Sequence, residues 1–329
     1  MESRARTYLM PVIGTVVIIA LMTGVSEYLG DREMIFPEIA ALAVGFLCAP
    51  KRTWQVDSRR MFLLITGCAV CGLIISTSMP GPAVIKLITA FAFAQIVFMF
   101  SGTSLAPLIS AAVLPVLIGT DSWSYVISAA GMTLLIIIFH KLLVKSGIRA
   151  EEPFVKKGSP DTGSAKRFVF RTVFFALMLV PAYQFGWIFA VAPPLLVAFT
   201  EWTETKGHVR GGERKVIIIA ACALIGAGCR LIMTVTLGMP LAASAAAAAL
   251  IAVTLMIMTG MFVPPAGALM MLAMLIPESS LLLFPAEVAS GAVILYLAAM
   301  AEKQFALRGA EAPEAAGPQL TRAETRQRA

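Results

Sequence analysis

The sequence predicts an all-α polytopic membrane protein with about 12 transmembrane segments in two pseudo-symmetric six-segment repeats. Three observations lead to this prediction. The first is composition: 59% of the 329 residues are apolar and only 14% are charged. A soluble domain of this size needs more polar surface to cover itself. The other two are the spacing of apolar segments and the recurrence of landmarks along the chain.

Apolar segments of about 15 to 24 residues recur along the chain, close to the length of a transmembrane helix. Their approximate bounds are 8–27, 35–50, 61–79, 83–100, 104–119 and 123–144, then 168–185, 187–201, 216–237, 241–259, 261–277 and 283–301. The second and fifth segments of each half are the shortest, and each contains or borders proline. Whether they cross the bilayer completely stays open.

Composition also divides the chain into four parts. The first membrane repeat covers 1–145 and the second covers 167–305. Between them, 146–166 is rich in charge, glycine and proline, which predicts a cytoplasmic linker. The tail 306–329 has almost no large apolar residues, so we expect it to be disordered.

Landmark residues recur in the second half at an offset of 155 to 160 residues, in the same order. The matched pairs are Pro37 with Pro193, Arg59 with Arg214, Met79 with Met239, Gly102 with Gly260, Pro107 with Pro265, and Gly131 with Gly291. Such periodic recurrence predicts an internal duplication.

Basic residues predict the orientation. With six crossings in each half, 23 of the 26 Lys and Arg residues fall on one side, which the positive-inside rule makes cytoplasmic. The exceptions are Arg32, in an outer loop, and Lys86 and Arg230, within apolar segments. The prediction is therefore a multi-pass protein of the bacterial cytoplasmic (inner) membrane. Its repeats are parallel and both termini are cytoplasmic.

Several classes of function are disfavoured. The net charge of +7 would suit nucleic acid, but the basic residues occupy short loops between apolar segments, so the lipid bilayer is the predicted partner and nucleic acid is not. No P-loop, nucleophile elbow or metal-ligand cluster is present, so we expect no cofactor, no metal and no enzyme activity. Cys68 and Cys71 share a helix face inside an apolar segment, which favours packing over redox or zinc chemistry.

Charged residues at membrane depth form the first candidate site. Arg230, Lys86 and Glu38 all fall in the predicted outer half of the protein. An ionisable group there is costly unless it is paired or faces water. They would therefore form a cationic site for a small anion, with Glu38 as a coupling or gating carboxylate. The structural alternative is that Glu38 or Glu287 pairs with Arg230 or Lys86.

Proline-bearing short segments form the second candidate. Interrupted segments at matching positions in two halves are typical of transporter binding sites, because proline frees a carbonyl group and a helix N-terminus presents unpaired N–H groups. The structural alternative is that the prolines only shorten and kink packed helices. The candidate residues are Thr103, Ser104 and Pro107 in the first half and Thr259, Pro264 and Pro265 in the second.

Two family resemblances rest on short motifs. The run Val263-Pro-Pro-Ala-Gly-Ala-Leu, preceded by Met258-Thr-Gly, resembles the His-Pro-Pro-Ala-Gly-Ala signature of the HPP integral membrane family, with Val263 in place of the histidine. The run Ile39-Ala-Ala-Leu-Ala-Val-Gly-Phe-Leu-Cys-Ala-Pro is similar to another segment of that family. The run Gln184-Phe-Gly-Trp-Ile-Phe-Ala-Val-Ala-Pro-Pro resembles the FUSC-like aromatic-acid exporter domain. These resemblances imply transport of nitrite in one case and of aromatic carboxylates in the other.

The leading functional hypothesis is a secondary transporter or exporter of a small anion, either an organic or aromatic carboxylate or a small inorganic anion. Its site would lie between the two halves, near Arg230 and the proline-bearing segments. The alternative is a non-transporting membrane scaffold or a subunit of a larger membrane complex. A homo-oligomer or a partner subunit is compatible with both hypotheses.

Overall fold

The structure is a computed structural model that describes residues 2–205 and 211–311, with side chains for 8–205 and 211–305. Within these ranges the regular structure is entirely helical, which confirms the all-α class. The helices are α1 (Glu2–Leu29), α2 (Glu38–Ala43), α3 (Ser58–Ser78), α4 (Ala83–Phe100), α5 (Pro107–Ile118), α6 (Ser124–Lys145), α7 (Thr162–Gln184), α8 (Pro193–Glu204), α9 (Gly212–Cys229), α10 (Leu241–Thr259), α11 (Pro264–Leu275) and α12 (Phe284–Glu311).

Short turns extend or precede several helices. A π-helical turn continues α2 over Val44–Cys48, and another continues α9 over Arg230–Thr236. A 3₁₀ turn precedes α2 at Arg32–Met34, α8 at Ile188–Val191 and α12 at Glu278–Ser280. Both halves therefore enter their second helix through a 3₁₀ turn.

Seven helices have the length and composition to cross a membrane. They run from 18 to 25 residues, or about 27 to 38 Å at 1.5 Å per residue, against a hydrocarbon core of about 30 Å. These segments are Tyr8–Leu29, Ser58–Ser78, Ala83–Phe100, Ser124–Lys145, Gly212–Thr236, Leu241–Thr259 and Phe284–Phe305. The chain therefore has the character of a polytopic membrane protein.

The four short helices α2, α5, α8 and α11 form the interior. At 12 residues or fewer, each is about 18 Å long or less, too short to cross a bilayer alone. They contact one another in a ring, α2 on α11, α11 on α8, α8 on α5 and α5 on α2. All 12 residues of α11 are buried, as expected for a helix that is apolar on every side.

Proline marks the start of each interior helix. Pro107, Pro193 and Pro264 are the first residues of α5, α8 and α11, and Pro37 immediately precedes α2. The first helical residue has no partner for its N–H group, and the proline ring fixes φ near the helical value, so proline is favourable there. The short segments therefore begin as ordinary helices.

The long helices surround this ring and carry the exposed apolar surface. Leu63 on α3, Ile127 on α6, Leu177 on α7 and Leu224 on α9 are all more than half exposed. Large exposed apolar surfaces are rare on soluble monomers but are required where a helix faces lipid. The outer layer is therefore suited to a bilayer.

Helix contacts in the first six helices recur in the last six. Helix α3 packs on α5 and α6, and α9 packs on α11 and α12. Between the two sets, α1 packs on α10 and α4 packs on α7. Aromatic contacts follow the same pattern: the rings of Phe36 and Tyr125 are 5.8 Å apart, and those of Phe189 and Phe284 are 5.4 Å apart, with both pairs edge to face.

Two glycines allow the closest helix contacts. Gly72 on α3 lies against the backbone of Ala112 on α5, and Gly226 on α9 lies against the backbone of Met270 on α11. In both places a Cβ atom would overlap the carbonyl oxygen of the facing residue. Small residues at helix crossings let membrane helices approach closely. A close crossing at glycine thus joins a long helix to an interior helix in each half.

The molecule has two distinct ends. We call one the linker end, because there the Lys157 N–H group donates to the Gly102 carbonyl oxygen at 2.9 Å and holds the linker against the loop before α5. At the opposite, far end, Ser76 Oγ donates to the Thr120 carbonyl oxygen at 2.8 Å. Helix α7 begins at Thr162, inside the predicted linker. Helix α12 continues to Glu311, inside the predicted tail 306–329, and the rest of that tail lies outside the described residues.

Candidate functional site

Arg230 lies at the far end, at the start of the π-helical turn after α9, and is 1% exposed. Its Nη1 atom donates to the carbonyl oxygens of Ala273 at 2.7 Å and Ile276 at 2.6 Å. These are carbonyl groups at the C-terminal end of α11, where the helix dipole is negative and intrahelical partners are missing. The guanidinium group therefore stabilises the end of an interior helix.

Lys86 has a similar role. Its Nζ atom donates to the Ser76 carbonyl oxygen at 2.8 Å, near the C-terminal end of α3. Glu287, the predicted ion-pair partner, instead accepts the Phe189 N–H group at 2.9 Å. Arg230 and Lys86 take part in none of the ion pairs between described residues. The ion-pair alternative is therefore wrong for these two cations, which bind backbone carbonyl groups of other helices or turns.

Glu38 is the first residue of α2 and is 1% exposed. One carboxyl oxygen, Oε1, accepts a hydrogen bond from the Ser110 hydroxyl of α5. The other, Oε2, is buried and has no hydrogen-bond partner among the described atoms. Glu38 thus joins two interior helices, and its partner Ser110 lies three residues, or about 4.5 Å, after Pro107 along α5.

The proline-bearing candidates lie at the linker end. Pro107, Pro264 and Pro265 begin α5 and α11 there, while Ala273, the partner of Arg230, is near the other end of α11. Nine residues of α-helix separate Pro264 from Ala273, which is about 14 Å. Arg230 and the prolines of α11 therefore lie near opposite ends of that helix, and they do not come together in a single site.

Thr259 lies at the end of α10 and is exposed. Its hydroxyl group donates back to the Leu255 carbonyl oxygen at 2.8 Å. Thr259 also lines an open pocket of about 350 Å³ with Arg214 and Met261. Thr103 and Ser104 line two other cavities at the linker end. Ser104 Oγ also accepts the Gln55 N–H group at 2.7 Å, which ties the loop before α5 to the loop before α3.

Two adjoining cavities at the linker end form what we call the vestibule. The smaller has a volume of about 60 Å³ and is lined by Gln95, Thr103, Arg171 and several linker residues. The larger has a volume of about 320 Å³ and is lined by Ser104, Glu201 and Lys215 among others. Both are bounded by residues from the first half, the linker and the second half. The vestibule therefore lies between the two sets of six helices.

Lys157 and Glu204 line both cavities and so stand between them. Their Nζ and Oε2 atoms are 3.3 Å apart. The Lys157 ammonium group also lies 5.4 Å from the centre of the Phe98 ring, a cation–π distance. A residue of the inter-half linker thus separates the two chambers of the vestibule.

A buried polar network forms the wall of the smaller cavity. Arg171 Nε donates to the Thr203 hydroxyl at 2.6 Å, Nη1 to Gln95 Oε1 at 3.0 Å, and Nη2 to Glu204 Oε1 at 2.7 Å. The Gln95 amide nitrogen in turn donates to the Thr200 hydroxyl at 2.8 Å. Every guanidinium nitrogen therefore has a partner, which is what a buried charge requires.

Sequence reasoning missed this network. Arg171 is one of the 23 basic residues that the sequence assigns to the cytoplasmic side, but the structure places it as the tenth residue of α7. Gln95 interrupts the apolar run of α4, and a primary amide at that depth is a signal that could have been used. Glu204 gave no such signal, because its cation partners come from the linker and from α7.

Glu204 is the last residue of α8, outside the helices that are long and apolar enough to cross a membrane. Burial raises the pKa of its carboxyl group, but the opposing effect of Arg171, Lys157 and Arg167 is larger and lowers the pKa from 4.5 to about 2. Glu204 is therefore a carboxylate at neutral pH, and it neutralises part of the surrounding positive charge.

Glu201 borders the larger cavity and accepts the Trp54 indole N–H group at 2.8 Å. Opposite it, Lys215 and Ser104 also line this cavity. With Arg171 and Lys157, the vestibule presents three cations and two carboxylates, together with the hydroxyl groups of Thr103 and Ser104. Cations and hydroxyl donors are the groups that hold a small anion.

The fold and this site define a helical, polytopic membrane protein with a polar vestibule between two sets of six helices. Comparison with protein-family models, with curated proteins and with solved structures finds no match to this chain.

Proposed function

We propose that this chain is a secondary transporter or exporter of a small anion, either an organic or aromatic carboxylate or a small inorganic anion. The observation that supports the proposal is the vestibule. Its two cavities lie between the two halves and are lined by Lys157, Arg171 and Lys215 together with hydroxyl groups. The larger chamber, about 320 Å³, is at the lower end of the volumes typical for small-molecule sites.

We also propose that the two halves are repeats related by an axis along the membrane normal, so that the 12 helices pass alternately between the two ends of the molecule. The proposal is supported by the recurring contacts, from the glycine crossings at Gly72 and Gly226 to the edge-to-face pair at Phe36 and its equivalent at Phe189. Transporters built from repeats commonly bind solute at the repeat interface. The vestibule occupies such a position.

The linker end is proposed to be cytoplasmic. Lys157, Arg167, Arg171 and Lys215 are all at this end, and basic residues next to membrane helices are retained on the cytoplasmic side. On this arrangement both termini are cytoplasmic and the membrane is the bacterial inner membrane. The short motif resemblances to the HPP and FUSC-like families agree with an anion as solute.

Topology is tested by single cysteines in a variant that lacks the five native ones. Asp121→Cys and Glu278→Cys, both exposed at the far end, should react with an impermeant thiol reagent added to intact cells. Glu151→Cys, exposed at the linker end, should react only after the membrane is opened. Labelling of Glu151→Cys in intact cells would overturn the orientation.

Transport is tested by flux into proteoliposomes across a panel of inorganic anions and aliphatic and aromatic carboxylates. Lys215→Gln removes a cation from the larger chamber, so we expect about a tenfold higher KM, since a hydrogen bond to a charged group contributes about 1.5 kcal/mol or more. Lys145→Gln is the matched control, because Lys145 is exposed at the end of α6 and does not line the vestibule. Absence of flux for every anion in a folded protein would favour the non-transporting scaffold.

A further inference from the structure

Glu38 has an environment that the proposed vestibule does not explain. It lies inside the interior ring, with Oε1 bonded to the Ser110 hydroxyl and Oε2 buried without a partner. A buried polar atom that lacks a partner is costly, and an ionised carboxylate in that position is costlier still. The structure must therefore offer either a compensating cation or a proton.

No compensating cation is found among the described residues. Helices α5 and α11, which pack on α2, contain no ionisable residue. Helix α6 contributes Tyr125, whose hydroxyl donates to the Ala111 carbonyl oxygen at 3.1 Å. Helix α1 contributes Glu27, whose carboxylate accepts the Leu241 N–H group at 3.0 Å.

The cations of the far end do not compensate Glu38 either: Arg32, in the turn before α2, is exposed, and the other two bind carbonyl groups elsewhere. Arg230 binds the carbonyl oxygens at the end of α11, and Lys86 binds the Ser76 carbonyl oxygen. A divalent metal is a poor alternative, because Ca²⁺ takes about six to eight oxygen ligands and the described groups at Glu38 offer one carboxyl group and one hydroxyl. The ligand that fits one orphaned carboxyl oxygen is a proton.

We propose that Glu38 and Ser110 form a proton-binding site that couples proton movement to rearrangement of the interior ring. The coupling role rests on the proposed function. A proton from water binds Glu38 Oε2, while the Ser110 hydroxyl continues to donate to Oε1. Release of the proton leaves a carboxylate that needs water, so the contact between α2 and α5 must open to the solvent.

Each chain carries one such site. Matching Pro37 to Pro193 and Pro107 to Pro265 places Pro194 opposite Glu38 and Ala268 opposite Ser110. Neither Pro194 nor Ala268 has an ionisable side chain. One proton per chain and per cycle is therefore expected.

Infrared difference spectroscopy of the purified full-length protein in detergent tests the site without requiring transport. As the pH is stepped from acid to alkaline, the wild type should lose a carbonyl-stretch band of a buried carboxylic acid, and Glu38→Gln should lack that band. Glu287→Gln is the matched control, because Glu287 is also buried but accepts a backbone N–H group. It should retain the band of Glu38.

A second variant keeps the test decisive if Glu38→Gln does not fold. Ser110→Ala removes the hydroxyl donor, and since a donated hydrogen bond stabilises the carboxylate, the band should titrate at higher pH. A band that persists in Glu38→Gln, or that Ser110→Ala leaves at the same pH, would overturn the proton site.

Proteoliposomes separate this proposal from the proposed function. An imposed pH gradient should drive anion accumulation by the wild type, and Glu38→Gln should retain downhill flux while losing the response to the gradient. If the wild type shows the spectroscopic band but transports no anion, the proton site stands and the transport function fails. If Glu38→Gln still accumulates anion in response to the gradient, the coupling role is wrong.

Discussion

The two sets of six helices make the same packing contacts with different polar chemistry. Gly72 and Gly226 bring a long helix onto an interior helix in each set. Four residues after these glycines stand Ser76 and Arg230, and both donate to a carbonyl oxygen just beyond the end of the interior helix, at Thr120 and Ile276. The side chain at this position therefore binds the end of the interior helix in both sets, through a hydroxyl group in one set and a guanidinium group in the other.

Another pair of matched positions also makes equivalent contacts with different side chains. Lys86 on α4 corresponds to Ser244 on α10, and each bonds to the C-terminal part of the preceding helix, at Ser76 and Thr234. The charge at these places is thus not itself a sign of a binding site. Glu38 and Ser110, by contrast, have no polar equivalents, and Arg171 joins Gln95 across the boundary between the sets. Polar residues that have no equivalent in the other set of helices are therefore the better indicator of function.

The largest expected effect is for Arg230→Ala, which removes two charge-assisted hydrogen bonds from the end of α11. A hydrogen bond to a charged group contributes about 1.5 to 3 kcal/mol, so the free energy of unfolding should fall by about 3 kcal/mol or more. Ser76→Ala removes one neutral hydrogen bond and should cost about 1 kcal/mol. Denaturant titration in detergent measures both.

The double variant Arg230→Ala/Glu38→Ala tests the ion-pair interpretation directly. Since Arg230 binds carbonyl groups and Glu38 binds Ser110, removal of both side chains should not restore stability. Recovery in the double variant would show that the two side chains compensate each other, and would contradict the equivalence of Arg230 and Ser76.

A smaller effect is expected at the two glycine crossings. In Gly72→Ala and Gly226→Ala the new methyl group meets a backbone carbonyl oxygen, and overpacking of this kind costs about 1 to 3 kcal/mol. Gly67→Ala and Gly228→Ala are controls in α3 and α9, where a Cβ atom meets nothing within 4 Å. The controls should be neutral or slightly stabilising, because alanine favours a helix. Unequal effects of Gly72→Ala and Gly226→Ala would weaken the equivalence of the two crossings.

The helical class and the positions of the helices could be predicted from sequence, because both follow from local patterns. Long apolar runs give helices wherever they occur, and Pro107, Pro193 and Pro264 mark helix starts by a property of the residue itself. The burial of the short helices in a central ring is less local, since it depends on which helices contact one another. The completely apolar composition of α11 was nevertheless a sign of it.

The candidate site was harder to predict because its contacts join distant parts of the chain. Depth in an apolar segment made Arg230 conspicuous, but its partners are carbonyl groups of another helix, which no side-chain pattern reveals. Arg171 meets Gln95 from α4 and Glu204 from α8, and only the tertiary structure brings them together. Thr103 and Ser104 line cavities, but these cavities are at the end opposite to Arg230.

The smallest expected effect concerns acid. Glu204, the carboxylate of the network in the second set of helices, has a pKa of about 2 when folded against an ordinary value of 4.5, because Arg171, Lys157 and Arg167 outweigh its burial. Its stabilising contribution is therefore complete above pH 4.5 and is lost as the pH falls through about 2.

The measurement is the difference in free energy of unfolding between wild type and Glu204→Gln across this range. The difference should be present at neutral pH and disappear near pH 2, because the protonated wild-type side chain then resembles glutamine. Glu278→Gln, at an exposed acid of the far end, should show no such change. A difference for Glu204→Gln that stays constant with pH would mean that shape and hydrogen bonding, rather than charge, account for the role of Glu204.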